Sequence, residues 1–179
     1  MFNNTELATL AGGCFWCLEP IFKSLKGVKK VTPGYTGGEK EFPTYKEVSS
    51  GNTGHAEAVQ IKYNPQEIEF KELLEVFFSV HNPTTLNRQG ADIGSQYRSA
   101  VFYHNLEQKN ITERIISEIE KEEIWSDPIV TEINEFEIFY PAEQYHHNYY
   151  EKNSFQSYCQ VVINPKLSKF RQKFKDKLA

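Results

Sequence analysis

Along this chain, short segments with the hydrophobic periodicity of a β-strand alternate with short segments that have the periodicity of an α-helix. This alternation restricts the fold to one that mixes strands and helices. The segment His55–Tyr63 has period two and places its apolar side chains on one face of a strand. In Phe70–His81 the apolar residues recur at helical spacing, which predicts an amphipathic helix. Strand and helix segments that follow each other in this irregular way favour the α+β class.

The other predicted elements are equally short. Further strands are predicted over Glu6–Ala11, Val28–Tyr35, Ser99–Tyr103 and, as one or two strands, Ile129–Tyr140. Further helices are predicted over Phe15–Lys26, Leu106–Glu123, Ala142–Lys152 and Pro165–Leu178. The polar loop Asn82–Ser95 is too long for a simple connector and is therefore a candidate for function. No repeat or linker divides the 179 residues, so we predict a single domain over residues 1–179.

Composition and charge exclude several classes of protein. Hydrophobic residues make up 39% of the chain and aromatic residues 14%, which excludes a disordered chain. A formal net charge of -4 argues against a general attraction to nucleic acid phosphates. No apolar run approaches the roughly 20 residues of a membrane span, and Met1–Glu6 lacks a signal-sequence pattern. We therefore expect a globular, cytoplasmic protein that binds neither nucleic acid nor membranes.

The three cysteines are too few, and odd in number, for a secreted framework held by disulfides. The Gly12-Gly13 turn, between a predicted strand and a predicted helix, puts Cys14 at a helix N-terminus. Free N–H groups and the helix dipole stabilise a thiolate there, so Cys14 is the candidate nucleophile. Cys17 lies one helical turn along, within disulfide reach in a suitable backbone geometry. The structural alternative is that both cysteines simply pack as small hydrophobic residues.

Glu57 is the candidate acid, because the alternation of its strand places the carboxyl among apolar neighbours. Desolvation there would raise its pKa, and a neutral carboxyl could act as a general acid near pH 7. The alternative is an edge position whose carboxyl reaches solvent or an arginine. The loop segment Gln89–Arg98 contains an acid and a phenol, which is typical of ligand-binding loops and equally of ordinary turns. Tyr45 is similarly ambiguous among 10 tyrosines.

Closely spaced cysteines such as Cys14 and Cys17 occur in at least two classes of protein. One is a general thiol–disulfide oxidoreductase, which uses a Cys-x-x-Cys pair at a helix start. The other is a zinc-stabilised binding module, which needs four ligands. Those ligands would be Cys14, Cys17, Cys159 and one of the paired His146 and His147. The second half of a zinc signature is missing, and the bulky Phe15 and Trp16 suit a hydrophobic substrate wall better than a metal knuckle. We therefore expect no metal.

The run Gly13-Cys14-Phe15-Trp16-Cys17 resembles the active-site signature of the A-type peptide methionine sulfoxide reductases. Five further segments resemble the family in family order: residues 34–38, 43–45, 54–59, 81–85 and 89–99. The similarity extends from Leu7 to about Phe174. It implies a two-layer α+β sandwich around a mixed β-sheet.

The resemblance also implies a role for each matching residue. Cys14 corresponds to the nucleophile, and Glu57 to the acid that hydrogen-bonds and protonates the sulfoxide oxygen. Phe15 and Trp16 correspond to the aromatic pocket for the substrate methyl group. The polar groups that help hold the sulfoxide oxygen, or an associated water, correspond to Tyr45, Asp92 and Tyr97.

The implied reaction is the thiol-dependent reduction of methionine S-sulfoxide, free or in proteins, which repairs oxidised proteins. Attack by Cys14 would release methionine and leave a sulfenic acid, which a second thiol condenses into a disulfide. Thioredoxin would then reduce that disulfide. The resemblance implies no metal or organic cofactor, and we expect a monomer.

The identity of the second thiol stays open between two residues. Many family members have glycine at the position of Cys17, and Cys159 resembles their C-terminal recycling cysteine. We predict Cys159, because the polar run Asn153–Tyr158 would give it a mobile tether within a mobile segment of about residues 153–179. The helix would hold Cys17 and turn it toward the core. A Cys-x-x-Cys pair at a helix start can nevertheless close in other proteins.

Overall fold

The computed structural model describes residues 4–179, and its centre is a six-stranded sheet beside a two-stranded hairpin. The strands are β1 (Glu6–Gly12), β2 (Val28–Thr36), β3 (Ala56–Tyr63), β4 (Arg88–Gln89), β5 (Asp92–Ile93), β6 (Ser99–Tyr103), β7 (Glu132–Glu135) and β8 (Phe139–Pro141). The helices are α1 (Phe15–Lys23), α2 (Tyr45–Ser49), α3 (Phe70–Val80), α4 (Leu106–Lys121), α5 (Tyr149–Lys152) and α6 (Asn164–Lys173).

The strand order of the large sheet is β7-β6-β1-β3-β2-β8. All neighbouring strands are antiparallel except β6 and β7, which are parallel, so the sheet is mixed. This confirms the predicted α+β class and the mixed sheet. The central pair β1 and β3 aligns Ala8 with Ile61 and Leu10 with Val59. Every second residue of each strand therefore faces the helices.

The main hydrophobic core lies between the helices and one face of the sheet. From β3 it takes Val59 and Ile61, and it includes Phe15 of α1 and Phe77 of α3, all fully buried. The other face carries small residues, mainly alanines, which form a second cluster with Phe102. Phe136 and Phe139, around β8, cover that cluster. The predicted two-layer arrangement of sheet and helices is thereby confirmed.

Two glycines form the sharp turn from β1 into α1. Gly13 has a φ of 95°, in the left-handed region that side chains disfavour. A Cβ atom on Gly13 would lie 2.6 Å from Cγ of Gln89, and one on Gly12 would lie 2.9 Å from Cε1 of Phe77. Neighbouring side chains therefore pack directly on this backbone. The turn ends with Cys14 as the N-cap residue of α1.

Several predicted boundaries differ from the structure. Helix α1 ends at Lys23, three residues earlier than predicted. The short helix α2 was not predicted, although Thr44 and Glu47 form a capping box that starts it. The polar loop after α3 contains the hairpin of β4 and β5. These differences arise because short elements are stabilised by caps and neighbours more than by hydrophobic periodicity.

The C-terminal third departs further from the predicted elements. The helix predicted over Ala142–Lys152 is divided into a 3₁₀ turn, Gln144–His146, and α5, because Asn148 takes the left-handed conformation with φ 55°. A π-helical turn, Cys159–Ile163, precedes α6. Single π-helical turns are frequent at functional sites.

Across residues 4–179, no helix combines the length and the apolar character that crossing a membrane requires. The expectation about a signal sequence concerned Met1–Glu6, of which residues 1–3 lie outside the described part of the chain.

Candidate active site

The candidate nucleophile and the candidate acid meet where α1 begins. Cys14 is extended, with φ -62° and ψ 126°, and is almost fully buried. Glu57, on β3, is only 1% exposed, and its Oε1 accepts a hydrogen bond from the backbone N–H of Phe15 at 3.2 Å. The first amide of α1 thus holds the carboxyl beside the thiol. This contact depends on the pairing of β1 with β3.

Burial sets the protonation state of both groups. Desolvation raises the pKa of Glu57 to about 8, although the Phe15 N–H bond acts in the opposite direction. The carboxyl is therefore mainly neutral at pH 7, as its strand face predicted. Burial also raises the pKa of the Cys14 thiol, and the neighbouring Cys17 and Glu57 add to that rise. This effect of burial opposes the stabilisation of a Cys14 thiolate by the helix N-terminus.

Aromatic rings surround this pair. The Phe15 ring lies 6.5 Å from the Tyr45 ring, and the Trp16 ring lies 6.3 Å from it, centroid to centroid. Phe15 is fully buried, whereas Trp16 is partly exposed. The structure therefore brings these three predicted residues together, with Phe15 as the inner ring and Trp16 as the more accessible one.

The two remaining predicted residues lie at the same site. Burial and the charge of Glu57 raise the pKa of Tyr45 to about 12, and the same two causes raise that of Tyr97. Both phenols therefore keep their protons at neutral pH and can donate hydrogen bonds. Asp92 also contributes to the raised pKa of Glu57, so its carboxylate is close as well.

All three cysteines belong to one buried cluster with Ile163. Interaction with the Cys14 thiol lowers the pKa of Cys17, against the effect of burial. Cys159 is fully buried at the start of the π-helical turn, and burial raises its pKa. Cys17 is buried, as expected, but beside Cys14 rather than away from it. The tether predicted for Cys159 is helical from Ser157 onward.

The segment between β8 and α6 supplies site residues that the sequence reasoning missed. The indole N–H of Trp16 donates to Nδ1 of His146 at 3.0 Å. The Tyr149 ring stacks on the Trp16 ring at 3.8 Å, with 7° between the planes. The Tyr158 hydroxyl donates to Asp92 at 2.8 Å and lies 3.9 Å from Sγ of Cys17. The dense run of tyrosine and histidine from residue 140 to 150 was the available signal.

Glu19 fixes the same segment to α1. Its Oε1 accepts a hydrogen bond from the backbone N–H of Asn148 at 2.7 Å, and desolvation raises its pKa to about 7. Lys23, one turn further along α1, donates to Oδ1 of Asn148 at 2.6 Å. Because Trp16, Glu19 and Lys23 lie at helical spacing, one face of α1 carries the contacts to this segment.

Within the described part of the chain, no three His, Cys, Asp or Glu side chains form a group that could hold a metal ion.

Comparison with known proteins identifies the family. A sequence model of the family described as peptide methionine sulfoxide reductase matches residues 6–178. The chain belongs to this family. A peptide methionine sulfoxide reductase MsrA from Saccharolobus solfataricus is 52% identical over 173 residues, which cover 97% of each chain. This relative confirms the A type and the enzyme class, peptide-methionine (S)-S-oxide reductase, that the sequence predicted.

Solved structures agree with the fold. Reduced Mxr1 from Saccharomyces cerevisiae matches with a TM-score of 0.81 and 39% identity, covering 87% of this chain and 90% of Mxr1. Mxr1 in complex with Trx2 matches with a TM-score of 0.58 and 30% identity, covering 80% of this chain and 85% of that one. The reductase fold is thus shown over most of the chain.

Replacing the acid tests the role of Glu57. Glu57→Gln should slow reduction of methionine sulfoxide in a single turnover by about 10²- to 10⁴-fold, as expected for loss of a general acid. Because the raised pKa keeps the acid form below about pH 8, the advantage of the native protein over the variant should shrink as pH rises through 8. Rapid-quench measurements from pH 6 to 9.5 would show this.

The matched control is Glu19→Gln, which removes another buried carboxyl of raised pKa that does not contact the thiol. It should cause a much smaller loss and no change in the pH profile. Equal single-turnover rates in Glu57→Gln and the native protein would exclude the general-acid role.

Proposed function

We propose that this chain reduces methionine S-sulfoxide through nucleophilic attack by Cys14 with Glu57 as the proton donor. The observation that carries the proposal is the neutral, buried Glu57 carboxyl, held by the first N–H of α1 beside the Cys14 thiol. A buried neutral acid next to a nucleophile is suited to protonate an oxygen as the S–O bond breaks.

The first step balances without a cofactor. The sulfur of Cys14 attacks the sulfoxide sulfur while Glu57 gives its proton to the sulfoxide oxygen. The oxygen is transferred to Cys14 as a sulfenic acid, and methionine leaves as the thioether. The thiol proton of Cys14 restores the Glu57 carboxyl. Sulfur in the substrate is reduced by two electrons, and the Cys14 sulfur is oxidised by two.

The surrounding side chains have separate binding roles. Phe15 and Trp16 receive the methyl group of the substrate in an apolar pocket. The phenols of Tyr45 and Tyr97 stay protonated, so they can donate hydrogen bonds to the sulfoxide oxygen or to a water beside it. Asp92 orients the Tyr158 hydroxyl and, through its charge, helps keep Glu57 protonated.

For recycling, Cys17 is the better supported first partner of Cys14, the reverse of the order expected from the sequence. Cys17 lies one helical turn from Cys14 in the same buried cluster, and its interaction with the Cys14 thiol lowers the pKa of Cys17, which favours the thiolate form that attacks a sulfenic acid. That attack forms the Cys14–Cys17 disulfide and releases water. Cys159, in the same cluster, can then attack Cys17, which passes the disulfide on and frees Cys14.

Thioredoxin is the proposed reductant. The structural similarity to Mxr1 in complex with Trx2 supports it, and so does the chemistry of an intramolecular disulfide, which needs an external dithiol. All three cysteines are buried, so the segment of about residues 153–179 has to move during recycling. We propose a single-domain monomer that repairs free or protein-bound methionine sulfoxide in the cytoplasm under oxidative stress.

A coupled assay tests the function. Native protein incubated with thioredoxin, thioredoxin reductase, NADPH and methionine S-sulfoxide should consume NADPH, whereas Cys14→Ser should show none and release no methionine even in one turnover. A disulfide substrate in place of the sulfoxide should give little consumption. Release of one methionine per Cys14→Ser molecule would show that the nucleophile is another residue. A preference for the disulfide would favour a general thiol–disulfide oxidoreductase.

Mapping the disulfide after one turnover tests the order of the thiols. Cys159→Ser should form a Cys14–Cys17 bond at the native rate and then fail to turn over with thioredoxin. Cys17→Ser should accumulate the Cys14 sulfenic acid for longer. Trapping with an alkylating reagent and mass spectrometry distinguishes these species. A Cys14–Cys159 bond that forms at the native rate in Cys17→Ser would restore the order expected from the sequence.

A further inference from the structure

His146 is buried at the end of a 3₁₀ turn, with 1% of its surface exposed. Its Nδ1 lies 3.0 Å from Nε1 of Trp16. The indole N–H can only donate, so Nδ1 of His146 must be the acceptor and carries no proton. This contact fixes which ring nitrogen of His146 is free for another partner.

The imidazole is neutral at physiological pH. Burial lowers the pKa of His146 to about 4, and the charges of Lys152 and His147 act in the same direction, against the effect of Glu143. A neutral imidazole has one N–H, and Nδ1 is already excluded. The proton of His146 therefore sits on Nε2, which makes Nε2 a hydrogen-bond donor.

This donor is buried and unpaired within residues 4–179: Nε2 of His146 has no hydrogen-bond partner there. The imidazole is packed against aromatic rings, with centroids 4.3 Å away for Tyr45, 5.1 Å for Phe15 and 4.1 Å for Tyr145. Leaving a buried donor unpaired costs about 1–3 kcal/mol. In native structures such a donor finds its acceptor in the protein, in ordered water or in a bound molecule.

We propose that the Nε2–H of His146 donates a hydrogen bond to an oxygen of the bound substrate. This inference rests on the proposed function, because Phe15 and Tyr45, which contact the imidazole, also line the proposed pocket. The substrate carries two neutral oxygens of the required kind, the sulfoxide oxygen and the main-chain carbonyl of the oxidised methionine. His146 is thus a substrate-binding residue that also fixes the Trp16 ring.

Variants of His146 test the donor. His146→Phe keeps a ring and removes the N–H, so it should raise the substrate concentration that half-saturates single-turnover reduction about three- to tenfold, the effect of losing one hydrogen bond. His146→Gln, whose amide can place an N–H near the same position, should recover part of this loss. His147→Phe is the matched control, because the Nε2 of that ring pairs with the Ala142 carbonyl instead.

Two substrates identify the oxygen. N-acetyl-methionine sulfoxide N-methylamide has both oxygens, whereas dimethyl sulfoxide has no main chain. Because His146→Phe also removes the acceptor of the Trp16 N–H, weaker saturation is read together with the Nε2–H signal of the unaltered His146. An effect of both substrates on both readouts assigns the sulfoxide oxygen, and an effect of the amide alone assigns the carbonyl. Unchanged saturation with both, in a variant that still turns over, overturns the proposal. A native protein without any turnover would instead contradict the proposed function.

A measurement on the unaltered histidine keeps the proposal testable if His146→Phe does not fold. In ¹⁵N-labelled Cys14→Ser, which cannot turn over, nuclear magnetic resonance should show the proton of His146 on Nε2. Adding the N-methylamide substrate should shift that proton downfield. A proton on Nδ1, or an Nε2–H signal that substrate does not move, would contradict the proposal.

Discussion

The hydrogen bond from the first amide of α1 to the Glu57 carboxyl is the contact on which the site depends. It joins a helix N-terminus, which presents the proposed nucleophile, to the central strand that carries the proposed acid. A charged carboxylate would suit the positive end of the helix dipole, but burial makes that charge costly. The cost of burying the charge outweighs this attraction, so the Glu57 carboxyl keeps its proton up to about pH 8.

The same first turn of α1 carries the proposed substrate pocket. Cys14, Phe15 and Trp16 are consecutive, so they point in different directions: to the thiol cluster, to the core and to the partly exposed pocket wall. The segment around His146 and Tyr149 then locks the indole by a hydrogen bond and a stacked ring. The proposed nucleophile and the proposed pocket residues therefore lie on one rigid turn, which preorganises their side chains.

The proposed recycling of the thiols requires mobility instead of rigidity. In the proposed mechanism the thiols exchange disulfides, yet all three cysteines are buried. The part of the chain that shields them is held by polar contacts, such as the Tyr158 hydroxyl on Asp92 and the Asn148 amide on Glu19. Individual hydrogen bonds of this kind are worth about 1 kcal/mol each, so they can break singly without unfolding the sheet.

Local sequence patterns indicate the proposed catalytic pair but not the side chains around it, for a physical reason. Cys14 follows a glycine turn, and Glu57 lies in a period-two run, so local patterns are enough to single them out as candidates. The contacts of His146 to Trp16 and of Glu19 to Asn148 join residues about 130 positions apart, which no local pattern records. The grouping of Cys17 with Cys159 is likewise a tertiary fact.

The protonation state of Glu57 decides whether this side chain can act as the acid. Infrared difference spectroscopy measures that state directly. The spectrum of the native protein minus that of Glu57→Gln isolates the carbonyl stretch of this one carboxyl. A protonated-carboxyl band is expected at pH 6 and 7, and it should disappear with a midpoint of about 8. A carboxylate band already present at pH 6 would contradict this expectation, because an ionised Glu57 could not supply the proton that the sulfoxide oxygen needs.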